Sequence, residues 1–292
     1  MIQKQVRCPK CKKIITLSGS CGETIQVTCP ICGTRGKVVF DKIDKTSTEE
    51  NKRNYIINTN NLTKKFGKLI AVDTLNLSIE EGEIYGLLGP NGSGKTTTIK
   101  MLCGLLRPTS GLVKVFNQKI PNKNIMQEIG YMPQETAVYL DNTVHENLFL
   151  FGELYGMKHD KIIEAEKSIL KFTDLYNRRD ELVSNLSGGM KHRLSLACAL
   201  IHNPRILFLD EPTVGVDPEL RETFWQYFNI ISKKGNTILI TTHYMDEASH
   251  CSRVGFLRQG KLIAEDKPDI LKKITNKDSL EDAFLTLTRE GI

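Results

Sequence analysis

The stretch EIYGLLGPNGSGKTTTIKMLCGLL, Glu83 to Leu106, decides how this chain folds. Ile84 to Leu88 is a short apolar run, which predicts a buried strand. It enters the glycine-rich segment Gly89, Pro90, Asn91, Gly92, Ser93, Gly94, Lys95, Thr96, which fits G-x4-G-K-[ST], and a helix is expected to leave it. Glycines let backbone N–H groups close around an anion, so strand, loop and helix together imply a cradle for a nucleoside triphosphate. In such a cradle Lys95 lays its charge on the β- and γ-phosphates. Thr96 offers a hydroxyl to Mg²⁺, and Thr97 reaches an α-phosphate oxygen.

Working outward, RILFLDEPT (Arg205 to Thr213) supplies the acidic half of the site. Ile206 to Leu209 is continuously apolar, as suits a strand buried on both faces. It ends in Asp210 and Glu211, where ligands sit in open α/β sheets. A solvated turn would also place two acids after a strand, but a phosphate loop needs an acidic partner. Asp210 is therefore expected to hold Mg²⁺ and Glu211 to polarise the attacking water. A second anion site is written in NLSGGMKHRL (Asn185 to Leu194), where Ser187, Gly188 and Gly189 open a basic helix.

These motifs, in this order, resemble those of the ATP-binding-cassette (ABC) ATPases over roughly Tyr55 to Gly291. The resemblance explains the second anion site: in that family two cassettes close head to tail, and the signature helix of one reaches the γ-phosphate held by the other. It implies that Ser187, Gly188 and Gly189 act on a partner's ATP and that the working unit is a dimer, a homodimer by expectation. It also implies that Phe66 stacks on adenine with Val72 beneath the ring. Gln134, in GYMPQE, would touch Mg²⁺ and the attacking water from a loop facing the transport partner. Asp217, in VGVDP, would cross the dimer interface, and His243, in ITTHYMDEA, would bond the γ-phosphate and orient Glu211. Met190 departs from the commonest signature, which has glutamine there. SGGMKHRL, the run TTHYMDEASHCSRVGFLRQGKLIAEDKP and the tail SLEDAFLTLT most resemble cassettes of drug- and polyketide-exporting ABC-2 systems, which recruit a separate integral-membrane permease. The implied function is ATP hydrolysis coupled to export, at the cytoplasmic face of the membrane. The rival is a nucleic-acid-linked ABC ATPase, set back by the single cassette and the exporter-like tail.

The expected fold is α/β: a P-loop NTPase domain of the ABC ATPase kind over residues 55–292. It has a mostly parallel sheet core, an N-terminal antiparallel β part and a helical subdomain over about 135–195, where VHENLFLFGELYG shows apolar residues at helical spacing. Its aromatics are expected to pack rather than bind a ligand. Lys191, His192 and Arg193 are expected on a charged helix face.

The front of the chain is different. Of eight cysteines, five lie in the first 32 residues. CPKC (Cys8, Cys11) and CPIC (Cys29, Cys32) are two C-x2-C knuckles separated by 17 residues, a spacing for one four-thiolate Zn²⁺ with rubredoxin-like iron as the alternative. The intervening segment alternates as two short strands would, so residues 1–40 read as a small zinc ribbon whose folding depends on its metal. Cys21 is the spare; Cys103, Cys198 and Cys251 read as core. Residues 41–54 are charged and read as a linker. Residues 1–54 hold 11 Lys and Arg against 5 Asp and Glu, so the net charge of +6 belongs wholly to this front piece. The basic N-terminus lacks the apolar run of a signal peptide, and no segment reaches the ~18 apolar residues of a membrane span.

Overall fold

The computed structural model describes residues 2–7, 10–11, 14–19, 23–39 and 54–290. The chain divides into two compact units, Met1–Arg53 and Asn54–Ile292. The expected linker lies, except for Asn54, outside the described residues.

The first unit holds two antiparallel hairpins, β1 (Ile2–Arg7) with β2 (Ile14–Gly19) and β3 (Thr24–Thr28) with β4 (Arg35–Val39). The two strands expected between the knuckles are β2 and β3. Each pairs outward, with a strand the sequence reading left unassigned, so Cys11 falls in one hairpin turn and Cys29 to Cys32 in the other. Cys8 and Cys21 lie outside the described residues.

The second unit begins with long strands β5 (Tyr55–Phe66) and β6 (Leu69–Glu80) and a buried β7 (Ile84–Leu88). Helix α1 (Lys95–Leu102) is followed by β8 (Ser110–Val115), β9 (Gln118–Lys119) and β10 (Ile129–Met132). Three helices form the middle: α2 (Val144–Leu154), α3 (His159–Phe172) and α4 (Gly188–Leu200). The chain then runs through β11 (Ile206–Asp210), α5 (Pro218–Lys233), β12 (Thr237–Thr242), β13 (Arg253–Arg258), β14 (Lys261–Asp266), α6 (Pro268–Thr275) and α7 (Leu280–Glu290).

One sheet is antiparallel, in the order β6-β5-β8-β9. The other has six strands in the order β10-β11-β12-β7-β13-β14, parallel except for β14. Every residue of β7, β11 and β12 is buried, which explains why these strands read as unbroken apolar runs. Register then places their carboxyl ends together: Met132 pairs with Leu209, Asp210 with Thr241, and Thr242 with Leu88. The next residues of four neighbouring strands therefore emerge on one edge, where an open α/β sheet builds its sites.

Helix α2 starts at a capping box in which Thr143 accepts the Glu146 amide at 3.1 Å and Glu146 accepts the Thr143 amide at 2.7 Å. Two further amides of its first turn bond outward, Val144 to the Glu181 carbonyl and His145 to the Arg179 carbonyl. No described helix is long and apolar enough to cross a membrane.

Candidate active site and its relatives

The loop after β7 bends tightly because its glycines have no alternative. A Cβ on Gly89 would lie 2.2 Å from the Leu257 carbonyl oxygen. Gly94 has φ +107°, and a Cβ there would lie 2.4 Å from the Ala71 carbonyl oxygen. The turn between β13 and β14 buttresses the loop, since the Gly260 amide donates to the Ser93 carbonyl at 2.9 Å. Lys95 is 5% exposed and donates to the carbonyls of Gly89 at 2.8 Å and Pro90 at 3.3 Å, so its ammonium sits in the curve of the loop. Burial pulls its pKa down, opposed by Glu211 and Asp210.

Three neighbouring side chains converge on the Glu211 carboxylate. Gln134 Nε2 donates to Oε2 at 3.2 Å, while Lys95 Nζ and His243 Nδ1 stand 3.7 and 3.3 Å from Oε1. Glu211 has φ +55°, a left-handed conformation unusual for a side chain with a Cβ. Its backbone is held from both sides: the amide donates to the Thr241 carbonyl and hydroxyl, each at 3.1 Å, and its carbonyl accepts His192 Nε2–H at 3.1 Å.

That last contact corrects the expected charged face on α4. His192 is 7% exposed, with its pKa lowered by burial. Lys191 donates to the Ser184 carbonyl and Arg193 pairs with Asp174 at 2.9 Å. Successive helical residues are rotated by about 100°, so three in a row cannot share one face. His192 and Thr241 are supporting residues that sequence reasoning missed. The only sequence signal for Thr241 was its place two residues before His243.

Asp210 is fully buried. Its Oδ1 accepts the Thr241 hydroxyl, its Oδ2 has no hydrogen-bond partner, and the Thr96 hydroxyl faces the carboxylate. Burial raises its pKa, with Glu211 adding to the rise, and the Thr241 hydrogen bond, the nearby Thr96 hydroxyl and the Lys95 charge oppose it. An unpartnered buried carboxylate oxygen beside a hydroxyl, with Gln134 nearby on Glu211, is a donor set that fits Mg²⁺.

A cleft of about 590 Å³ opens over the loop, lined by Phe66, Leu69 to Ala71, Asn91 to Thr97, Gln134 and Glu211. Phe66 is 49% exposed, and Lys64 Nζ stands 5.0 Å from its ring centre. Val72 is fully buried and packs near Gly94; Leu69, Ile70 and Ala71 line the cleft instead. His243 lines a neighbouring cleft with Gly89 and Pro90.

The remaining expected site residues form a second group. Ser187 caps α4 by accepting the Met190 amide at 3.3 Å, and Ser187 and Gly188 are exposed. A Cβ on Gly189 would lie 2.9 Å from the Gly215 carbonyl oxygen, so this helix start abuts the loop that leads to Asp217. Asp217 caps α5 through the Leu220 amide at 3.0 Å and is exposed.

The family of ABC transporters matches residues 72–214. The Nod factor export ATP-binding protein I of Burkholderia lata is 43% identical over 218 residues, which are 74% of this chain and 72% of that protein. The chain belongs to the ABC transporter family. The probable multidrug ABC transporter ATP-binding protein YbhF of Escherichia coli is 44% identical over 242 residues; the match covers 80% of this chain but only 42% of that longer relative. Among solved structures, the ATP-binding cassette MJ0796, a dimer in a post-hydrolysis state with ADP and Pi, superposes with a TM-score of 0.68 at 29% identity. That match covers 72% of this chain and 98% of that one. The expected P-loop α/β fold is the one found, and it is the fold of ABC ATPase domains. Cys103, Cys198 and Cys251 are buried, as core cysteines should be.

Proposed function

We propose that the chain is the ATPase subunit of an ABC-2-type exporter working on the cytoplasmic face of a membrane with a separate permease. The observation that carries the reading is the convergence of Lys95, Gln134 and His243 on Glu211 at the edge where four parallel strands end. In this reading the backbone N–H groups of the loop from Asn91 to Thr97 and the Lys95 ammonium hold the phosphates, and Phe66 carries the adenine. Glu211 accepts a proton from the attacking water, which Gln134 and His243 orient. Mg²⁺ held by Thr96, Gln134 and Asp210 would supply charge neutralisation at the phosphates.

Two cassettes would close around two nucleotides, each placing Ser187, Gly188 and Gly189 on the other's γ-phosphate. The exposure of that helix start supports this, because it can meet only a ligand brought from outside its own cleft. The relatives' names, multidrug and Nod factor export, support an amphiphilic cargo. An apolar cavity of about 260 Å³ beside Pro133, lined by Met126, Phe151 and Tyr155 among others, is the surface we assign to the permease.

The front unit is read as a Zn²⁺ site of Cys8, Cys11, Cys29 and Cys32. The Sγ atoms of the last three lie within 4.8 Å of one another, and Cys11 and Cys29 are 3.6 Å apart. Tetrahedral thiolates at about 2.3 Å from zinc stand about 3.8 Å apart, so the spacing fits.

The test is a mild-detergent pull-down of the tagged protein from its own cells. A polytopic membrane protein in near-equal amount is expected. Ribosomal proteins or nucleic acid, with none of the chain in the membrane fraction, would sink the exporter reading.

A further inference from the structure

One buried carboxylate joins the two loops that follow β11 and β12; it lies in the ITTHYMDEA run, but no role above is assigned to it. Glu247 is 2% exposed. Its Oε2 accepts the Thr242 hydroxyl at 3.0 Å, and that hydroxyl oxygen accepts the Tyr244 amide at 3.0 Å. Thr242 ends β12 and immediately precedes His243. On its other side Glu247 meets Arg221, in the first turn of α5. Arg221 Nε stands 3.7 Å from Oε1, and neither atom has a hydrogen-bond partner. Arg221 Nη2 reaches the Val216 carbonyl, one residue before Asp217, at 3.4 Å. The guanidinium also lies 5.5 Å from the centre of the Tyr244 ring, itself 4.1 Å from the His243 ring.

The pair is therefore a bridge between two functional loops. A carboxylate this deep is costly to keep charged unless its partner is well placed. A pair built only for stability would close into the short, two-pronged geometry that arginine and carboxylate prefer. Here the ion pair is open by most of an ångström, and both atoms are buried without a hydrogen-bond partner. Thr213, wholly buried in the first of those loops, also faces Glu247. A shift of the Val216–Asp217 segment pulls on Arg221, and a shift of Glu247 pulls on Thr242 and the backbone beside His243.

We propose that Glu247 and Arg221 are positioning residues that tie the Asp217 loop to the His243 loop, so that contact made at Asp217 sets the placement of His243 against Glu211. The proposal rests on the roles assigned above to Asp217 and His243.

The test uses the full chain and compares wild type with Glu247→Gln, Arg221→Met, the double variant and Arg221→Lys in steady-state ATP hydrolysis and thermal unfolding. Expected is a loss of about tenfold in kcat for each of the first two, with KM for ATP within about twofold. The double variant should be no slower than the slower single, since both break one link. Arg221→Lys keeps the charge but not the fork, and should fall between wild type and Arg221→Met. Unchanged kcat in both singles, losses that multiply in the double, or a fall in kcat matched by KM and by melting temperature would each overturn the proposal. Should Arg221→Met fail to fold, Arg221→Lys with Glu247→Gln completes the same cycle. His243→Ala, measured alongside, tests the underlying reading separately: full turnover there removes the site roles themselves, whatever Glu247 does.

Discussion

At the scale of single residues, Glu211 shows how a reactive group is bought with backbone strain. A left-handed φ on a residue with a Cβ costs on the order of 1–3 kcal/mol and persists only where surroundings over-determine it. Here Thr241 holds the amide and His192 the carbonyl, so the side chain is aimed at Lys95, Gln134 and His243. Replacing Glu211 by glutamine keeps the shape and removes the proton acceptor. Turnover is expected to fall by at least ~100-fold with ATP affinity held within a few-fold, read by steady-state hydrolysis and equilibrium nucleotide binding. Near-normal turnover would show that another group activates the water. Asp210 and Glu211 were legible as residues from the strand they end, but the anchors of Glu211 were not. A carbonyl's partner is chosen by whichever helix packs across it, and nothing in NLSGGMKHRL distinguishes His192 from its half-buried neighbours Lys191 and Arg193.

Elements bring their own tests. The capping box on α2 satisfies two backbone amides at a helix start otherwise stitched to residues 179–181. Thr143→Ala should cost about 1 kcal/mol in chemical denaturation, with little change in ATP affinity, because the cap touches none of the nucleotide cleft. An unchanged denaturation midpoint would mean the outward bonds carry that helix start alone. Just past α4, His202 donates Nε2–H to the Ile129 carbonyl at 3.1 Å and stacks on Tyr155 at 3.6 Å. Burial lowers its pKa to about 4. A base whose folded pKa is depressed contributes fully above its unfolded value, about 6.5, and loses that contribution as pH falls, because the unfolded chain then binds the extra proton. Stability should therefore drop between about pH 6.5 and 4, more steeply in wild type than in His202→Gln. Equal slopes in thermal melts across that window would exclude His202 as a source of acid sensitivity. The helical middle of the chain was readable from periodicity alone; which of its side chains are buried depended on what the helices pack against.

The whole molecule adds relations between distant segments. Gln134, Asp210, Glu211, His243 and Lys95 come from four places in the chain, and parallel register alone makes them neighbours. In the reading proposed here, the two clusters, one at the cleft and one at the exposed start of α4, meet across two molecules. Glu211→Gln with ATP and Mg²⁺ should therefore run as a dimer in size-exclusion chromatography and revert to monomer when nucleotide is removed. A monomer under all conditions would break the paired-cassette reading. In the front unit, purified protein should carry about one zinc per chain, and Cys29→Ser should lose it while ATP binding persists. Iron in place of zinc, or full zinc in that variant, would refute the assignment.

By itself the sequence determined what local chemistry dictates. The glycines of the phosphate loop and the apolar strands that end in acids each carry their meaning within a few residues, because backbone geometry and ligand reach act over that distance. Tertiary structure decided everything that needs two segments to meet. It turned His192 inward, set Ala71 rather than Val72 against the cleft, leaned the β13–β14 turn on the phosphate loop and joined Glu247 to Arg221. Those contacts follow from strand order and helix packing, and a linear sequence records neither.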